Sequence, residues 1–259
     1  MRGLVLILFA ILVSGQVPNA AVAQQVALGD AAYERFDNDE ALAHYAEALE
    51  ADPNHREALW KAARSYADVG AGFERTDPDR AKALYEQGVT AARKAIEVDP
   101  ESADAHFILA VCIGRLALFE GGRTKIELSR EVKREAERAI ELDPRHDGAF
   151  YVLGRWHYSV ATLGWILRAL AKVIYGGVPP EASVEEAAEM FATAIEIDGT
   201  RPGYHLEYAR ALVELGRYSE ARRHLETCIE LPQVYWEDPS HKAEAANMLD
   251  DIRGQRDKG

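Results

Sequence analysis

Ala48-Leu49-Glu50-Ala51-Asp52-Pro53 returns four more times along the chain with small changes. It reads Ala95-Ile96-Glu97-Val98-Asp99-Pro100, then Ala139-Ile140-Glu141-Leu142-Asp143-Pro144, then Ala194-Ile195-Glu196-Ile197-Asp198-Gly199. A degenerate copy is Cys228-Ile229-Glu230-Leu231-Pro232. In each, helix-favouring residues run into Pro or Gly, which block continuation. Each phrase therefore ends a helix, and the chain reads as a row of helical repeats.

The spacing around the phrases is helical. Ala41, Tyr45 and Ala48 hold small–large–small positions on one face, as do Ala187, Phe191 and Ala194, and Ala221, Leu225 and Cys228. The preceding helices show Leu59, Ala62, Ala63 and Tyr66; His106, Leu109, Ala110 and Ile113; and Phe150, Leu153, Gly154 and His157. Steps of three and four put such residues on one side of a helix, and small residues let two helices approach closely. This is the tetratricopeptide (TPR) pattern, whose usual period is about 34 residues.

The intervals here run longer: 47 from Pro53 to Pro100, 44 to Pro144, 55 to Gly199, then 33 to Pro232. The excess is expected between paired helices, at 71–79, 119–126 and 159–180. The fold expected is an all-α, TPR-like α-solenoid of about five helix pairs over 24–254. A capping helix from Pro239 to about Arg253 should close it, ahead of a short disordered tail at 255–259.

Met1-Arg2, the apolar run Gly3–Val13 and the small-x-small site Ala21-Val22-Ala23 read as a signal peptide over 1–23. The apolar run is too short to span a bilayer comfortably. The chain is therefore expected to be exported, periplasmic or secreted. A retained N-terminal anchor is the alternative. With 30 Lys and Arg against 43 Asp and Glu, the net charge is −13, which argues against nucleic acid as a partner. The two cysteines, Cys112 and Cys228, fall on inward-facing positions two repeats apart and are expected to be separate buried thiols.

Several segments carry a more specific likeness. Leu153-Gly154-Arg155-Trp156, running through Trp165 and Tyr175-Gly176 to Pro179, resembles the regulator of microtubule dynamics proteins. Trp60-Lys61-Ala62-Ala63-Arg64, Tyr85-Glu86-Gln87-Gly88 and Lys125-Ile126-Glu127-Leu128-Ser129 also match, as do the late Leu231-Pro232 and Glu237-Asp238. The resemblance covers most of the chain and fits an exported, bacterial branch of the family. It implies a TPR-like fold and a non-enzymatic role. It also implies the microtubule, spindle-pole and membrane-contact associations of animal members, although an exported chain meets no microtubule.

No phosphate loop, nucleophile elbow or zinc-protease helix occurs in the sequence, so neither catalytic residues, metal nor cofactor is expected. His106 and His205, at equivalent positions, read as packed histidines. A stripe along the first helices points instead to binding. One register holds Trp60, Phe107, Tyr151 and Leu206; four residues on, it holds Arg64, Val111, Arg155 and Arg210. Arg115 and Tyr158 lie close by. Such neighbours would align an aromatic row beside an arginine row on the concave face, fit for a protein or peptide bearing acidic groups or a free C-terminus. The alternative is that these arginines pair with helix acids such as Glu57 and Asp104.

The segment 159–175 is a second candidate. Trp165, Ile166, Leu170 and Ile174 are apolar, and Arg168 and Lys172 share one face. It reads as a helix packed in the solenoid, or one that docks a partner or a membrane surface.

Overall fold

The aspartate of the recurring phrase builds the same turn four times. Asp52, Asp99, Asp143 and Asp198 each cap a helix at its C-terminus, with φ between −133° and −139°. Their backbone N–H groups donate to the carbonyls of Ala48, Ala95, Ala139 and Ala194 at 2.8–2.9 Å. Each carboxylate then accepts the N–H two residues on, from Asn54, Glu101, Arg145 and Thr200, at 2.9–3.3 Å. This side-chain turn gives a partner to a backbone N–H of the connection between the two helices. The next helix starts at once: His55, Ser102 and His146 accept the N–H groups of Ala58, Ala105 and Ala149 at 3.1–3.2 Å.

The structure is a computed structural model that describes residues 17–163 and 182–257. Among these it contains α1 (Val17–Glu34), α2 (Asn38–Ala51), α3 (Arg56–Phe73), α4 (Pro78–Val98), α5 (Ala103–Leu116) and α6 (Gly122–Leu142). There follow α7 (Asp147–Ala161), α8 (Val184–Ile197), α9 (Pro202–Glu214), α10 (Tyr218–Glu230) and α11 (Asp238–Asp251). A 3₁₀ turn, Ala117–Phe119, follows α5. Consecutive helices pack as five antiparallel pairs, and α11 lies against α9 and α10 as the cap. The all-α, TPR-like solenoid expected from the phrases is the fold.

The extra residues of the second and third repeats sit mostly in helices rather than in inserted turns. Helix α3 has 18 residues and α4 has 21, leaving only 74–77 between them. Helix α6 also has 21 residues. Extending a helix adds a hydrogen bond per residue, whereas an irregular turn orders residues without one.

Within pairs, glycines of the first helix lie flat against a large ring of the second. A Cβ at Gly29 would lie 2.5 Å from the Tyr45 ring, at Gly70 2.7 Å from Tyr85, and at Gly154 2.7 Å from Phe191. All three rings are fully buried. The hydroxyls of Tyr45 and Tyr85 escape the apolar interior by donating to Asp30 at 2.7 Å and Glu74 at 2.5 Å. Cys112 and Cys228 are free and buried. Burial pushes both thiols up, Cys228 to about 12.

Helix α1 runs straight through the expected signal-peptide junction after Ala23. Val22 and Val26 are buried in the cluster that holds Tyr45, Ala58 and Ala62. At the other end, Asp257 accepts the N–H of Ser219 at 2.7 Å, and the Gln255 carbonyl accepts from Arg222 at 3.1 Å.

The ring-on-glycine contact makes opposite outcomes expected at two neighbouring positions. Gly70→Ala should destabilise the protein by about 1–3 kcal/mol, because Tyr85 has nowhere to move. Gly72→Ala, with nothing within 4 Å of its added carbon, should be neutral or stabilising by up to about 1 kcal/mol. Urea midpoints of the two variants measure the contrast. Equal shifts in one direction would refute the close-approach account.

Candidate functional site

The first helices of the pairs turn their inner faces to one chamber of about 680 Å³. That volume falls within the range of ligand clefts. Six of the eight residues expected on the concave face line it: Trp60, Arg64, Phe107, Arg115, Tyr151 and Arg155. Tyr158 and Arg210 do not. Tyr158 packs against the C-terminal apolar cluster. Arg210 is tied to Glu207 at 3.2 Å and to Glu244 of the capping helix at 2.8 Å. Leu206 is buried in the core. The stripe therefore leaves the concave face at α9, because α11 covers that helix.

The arginines divide into two kinds. Arg115 is committed: it binds Glu74 at 3.3 Å and Glu237 at 2.9 Å. Burial opposes its charge, yet Glu237 and its other neighbours outweigh that and hold its pKa above the ordinary value. Arg64 and Arg155 form no ion pair among the described residues. The Arg64 guanidinium carbon lies 3.4 Å from the centre of the Tyr33 ring, and the group reaches the Tyr45 hydroxyl at 3.4 Å. Arg155 makes one long hydrogen bond, 3.4 Å, to Tyr151. The acids expected to neutralise them are engaged elsewhere, Glu57 with Lys61 and Asp104 with His146.

The signature Leu153-Gly154-Arg155-Trp156 divides its work by side of the helix. Leu153 enters the core, Gly154 receives Phe191, and Arg155 faces the chamber. The buried Trp156 indole donates to the Ser129 carbonyl of α6 at 2.8 Å. The two matching segments, 153–156 and 125–129, are thus one contact.

A feature missed in the sequence completes the wall. The strap between α10 and α11 brings Val234, Tyr235 and Glu237 to the chamber. Besides the Glu237–Arg115 ion pair, the Tyr235 hydroxyl donates to Asp68 of α3. Asp238, fully buried, accepts the N–H groups of Val234 and Tyr235 at 2.9 and 2.7 Å and pins the strap to α11. The only sequence signal was that Leu231-Pro232 and Glu237-Asp238 match the family.

Asp68 is the strained group of the site. It is 5% exposed, and its second oxygen has no hydrogen-bond partner. Burial outweighs the hydrogen bond from Tyr235 and the charges of Arg64 and Arg115, raising its pKa to about 6.

The histidines serve the packing. His106 bonds Glu135 at 2.7 Å and the Pro100 carbonyl at 3.1 Å. His205 bonds His224 at 2.9 Å and the Gly199 carbonyl at 3.1 Å. Burial, and then the neighbouring His205, lower the pKa of His224 to about 4. Trp165, Ile166, Arg168, Leu170, Lys172 and Ile174 lie outside the described residues. Among the described residues, no helix is long and apolar enough to cross a membrane.

A family model described as regulator of microtubule dynamics protein 1-3 matches residues 26–253. The chain belongs to this family. Regulator of microtubule dynamics protein 3 of Xenopus laevis is 33% identical over 201 residues, 76% of this chain and 42% of that protein. Protein 1 of Bos taurus is 32% identical over 206 residues, 78% of this chain and 62% of that one. The chain thus spans about half the length of the curated relatives it matches. Among solved structures, a thermophilic TPR protein of Thermus thermophilus superposes with a TM-score of 0.65 at 16% identity, covering 88% of this chain and 99% of that one. Pseudomonas aeruginosa pilF gives 0.51 at 17% identity, covering 92% and 95%. These likenesses establish the TPR-type fold within the family.

The raised pKa of Asp68 has a definite consequence for stability. The folded protein holds this proton more tightly than the unfolded chain, whose value is near 3.8. Ionisation therefore costs stability as pH rises from about 4, and the full cost, about 2–3 kcal/mol, is present above about 6. Asp68→Asn, which can still accept from Tyr235, should match wild type near pH 4 and exceed it by about that amount at pH 7.5. Denaturant melts across this range provide the measurement. A difference that stays constant with pH would show that Asp68 does not titrate as described.

Proposed function

We propose that this chain is a non-enzymatic, protein-binding scaffold whose concave chamber holds an acidic segment or free carboxyl terminus of a partner protein. One observation carries the reading: Arg64 and Arg155, neither in an ion pair among the described residues, face the same chamber as Trp60, Phe107 and Tyr151. Arginine meets a carboxylate through two parallel hydrogen bonds, and aromatic rings add contact area at small entropic cost. On a chain of net charge −13, two inward-facing arginines without ion-pair partners among the described residues offer an anionic group a local place on a face that also carries carboxylates.

Several other polar groups of the chamber support binding rather than catalysis, since they are used in structure. His146 caps α7, His241 bonds Asp238 at 3.3 Å, and Asp147 accepts from Tyr204 at 2.6 Å. Regulation of microtubule dynamics is what the relatives' names state. The acidic partner proposed here is chosen on charge and shape alone.

A peptide-display selection on the full chain tests the proposal. Wild type should enrich Asp- and Glu-rich peptides or those with a free carboxyl end. Arg64→Glu/Arg155→Glu, in a variant whose circular-dichroism spectrum shows it folded, should lose about thirtyfold or more in affinity for them, about 2 kcal/mol. Arg155→Glu alone, at a side chain with little structural engagement, should act in the same direction. Undiminished enrichment by these variants would sink the proposal.

A further inference from the structure

The strap makes the contacts with the concave face that a bound peptide would make. Two polar anchors hold it there, Tyr235 to Asp68 and Glu237 to Arg115. They join residues 167 and 122 positions apart, so they belong to the tertiary fold and not to a local turn. Pro232, Gln233 and Val234 remain exposed, Val234 to 38%. The backbone is fixed separately, by Lys242 donating to the Leu231 carbonyl and by the buried Asp238, which accepts the N–H groups of Val234 and Tyr235. The side chains of Tyr235 and Glu237 can therefore swing off the face while the strap backbone stays attached.

We propose that the Pro232–Glu237 strap is a built-in occupant of the concave face, and that the partner segment replacing it carries the same chemistry, an aromatic residue followed two positions later by a carboxylate. This rests on the concave-face reading above and names the recognition element it takes. The release is physically inexpensive. When Glu237 withdraws, Arg115 keeps Glu74, so no buried guanidinium is stranded. Asp68, which already has one oxygen without a partner, gains water. The vacated face presents Arg115 beside Arg64 and Arg155, a better match for an acidic segment than the closed one. An incoming carboxylate takes over the ion pair that Glu237 gives up, and an incoming ring takes the place of Tyr235.

The test uses the full chain and a fluorescent peptide copying residues 230–239, with both ends blocked. Closure by the native strap leaves only a fraction of molecules competent, which weakens apparent affinity by that fraction. In Tyr235→Phe/Glu237→Gln the strap has lost both anchors, and the peptide should bind at least about tenfold more tightly than to wild type by anisotropy. A peptide carrying Glu237→Gln should show no such gain, and Arg115→Gln in the same background should remove it. Equal affinity for wild type and the loosened variant, or no binding to a loosened variant with an unchanged circular-dichroism melt, overturns the proposal. Should the double variant fold poorly, Glu237→Gln alone keeps the Tyr235–Asp68 bond and should give a smaller gain in the same direction; no gain there overturns it too. The peptide experiment reads Arg115 and the strap, whereas the display selection reads Arg64 and Arg155, so either result can fail while the other stands.

Discussion

Four aspartates set the angle between repeats, and the rest of the structure depends on that angle. At Asp52, Asp99, Asp143 and Asp198 one residue ends a helix through its backbone N–H and orders the following turn through its carboxylate. The backbone at all four adopts nearly the same conformation. Repeating one turn at near-constant geometry repeats one rotation between helix pairs, and a constant rotation gives a curved solenoid with an inner face. Without that curvature, Trp60, Phe107 and Tyr151 would be three separate surface residues on three helices.

Packing inside the pairs converts the turn into a rigid frame. Gly29, Gly70 and Gly154 each accept a buried ring at a distance no other residue allows. The rings are held at their far ends where they carry a hydroxyl, by Asp30 and Glu74. Glu74 also holds Arg115, so the second pair's packing residue and the chamber's committed arginine share one carboxylate. The frame and the site are physically continuous at that point.

The chamber gathers basic and acidic side chains in equal number inside a molecule that is acidic as a whole. An acidic surface encloses arginines whose charge is partly satisfied by the chain itself, Arg115 by Glu74 and Glu237, and partly left to rings and hydroxyls, Arg64 and Arg155. Opposite them stands Asp68, a buried carboxylate with one oxygen bonded to the strap. The strap places an anion against Arg115 and keeps Asp68 away from water.

The helix pairs, the helix stops at the recurring phrase, the buried faces of α2, α8 and α10 and the cap were legible in the sequence, because each follows from local rules: spacing of three and four, small residues at contact points, and Asp followed by Pro or Gly at the stops. Six of eight concave-face residues were legible for the same reason, since register alone carries a residue to the inner side of a first helix. The sequence could not place Arg210, which is diverted by the capping helix, Tyr158, which packs against the C-terminal apolar cluster, or the strap. The contacts of the strap to Asp68 and Arg115 span 167 and 122 residues and follow no period. Periodicity records which face a residue occupies. Which distant segment comes to lie on that face, and which arginine it neutralises, is decided only when the accumulated rotation of the repeats brings the two ends of the chain together.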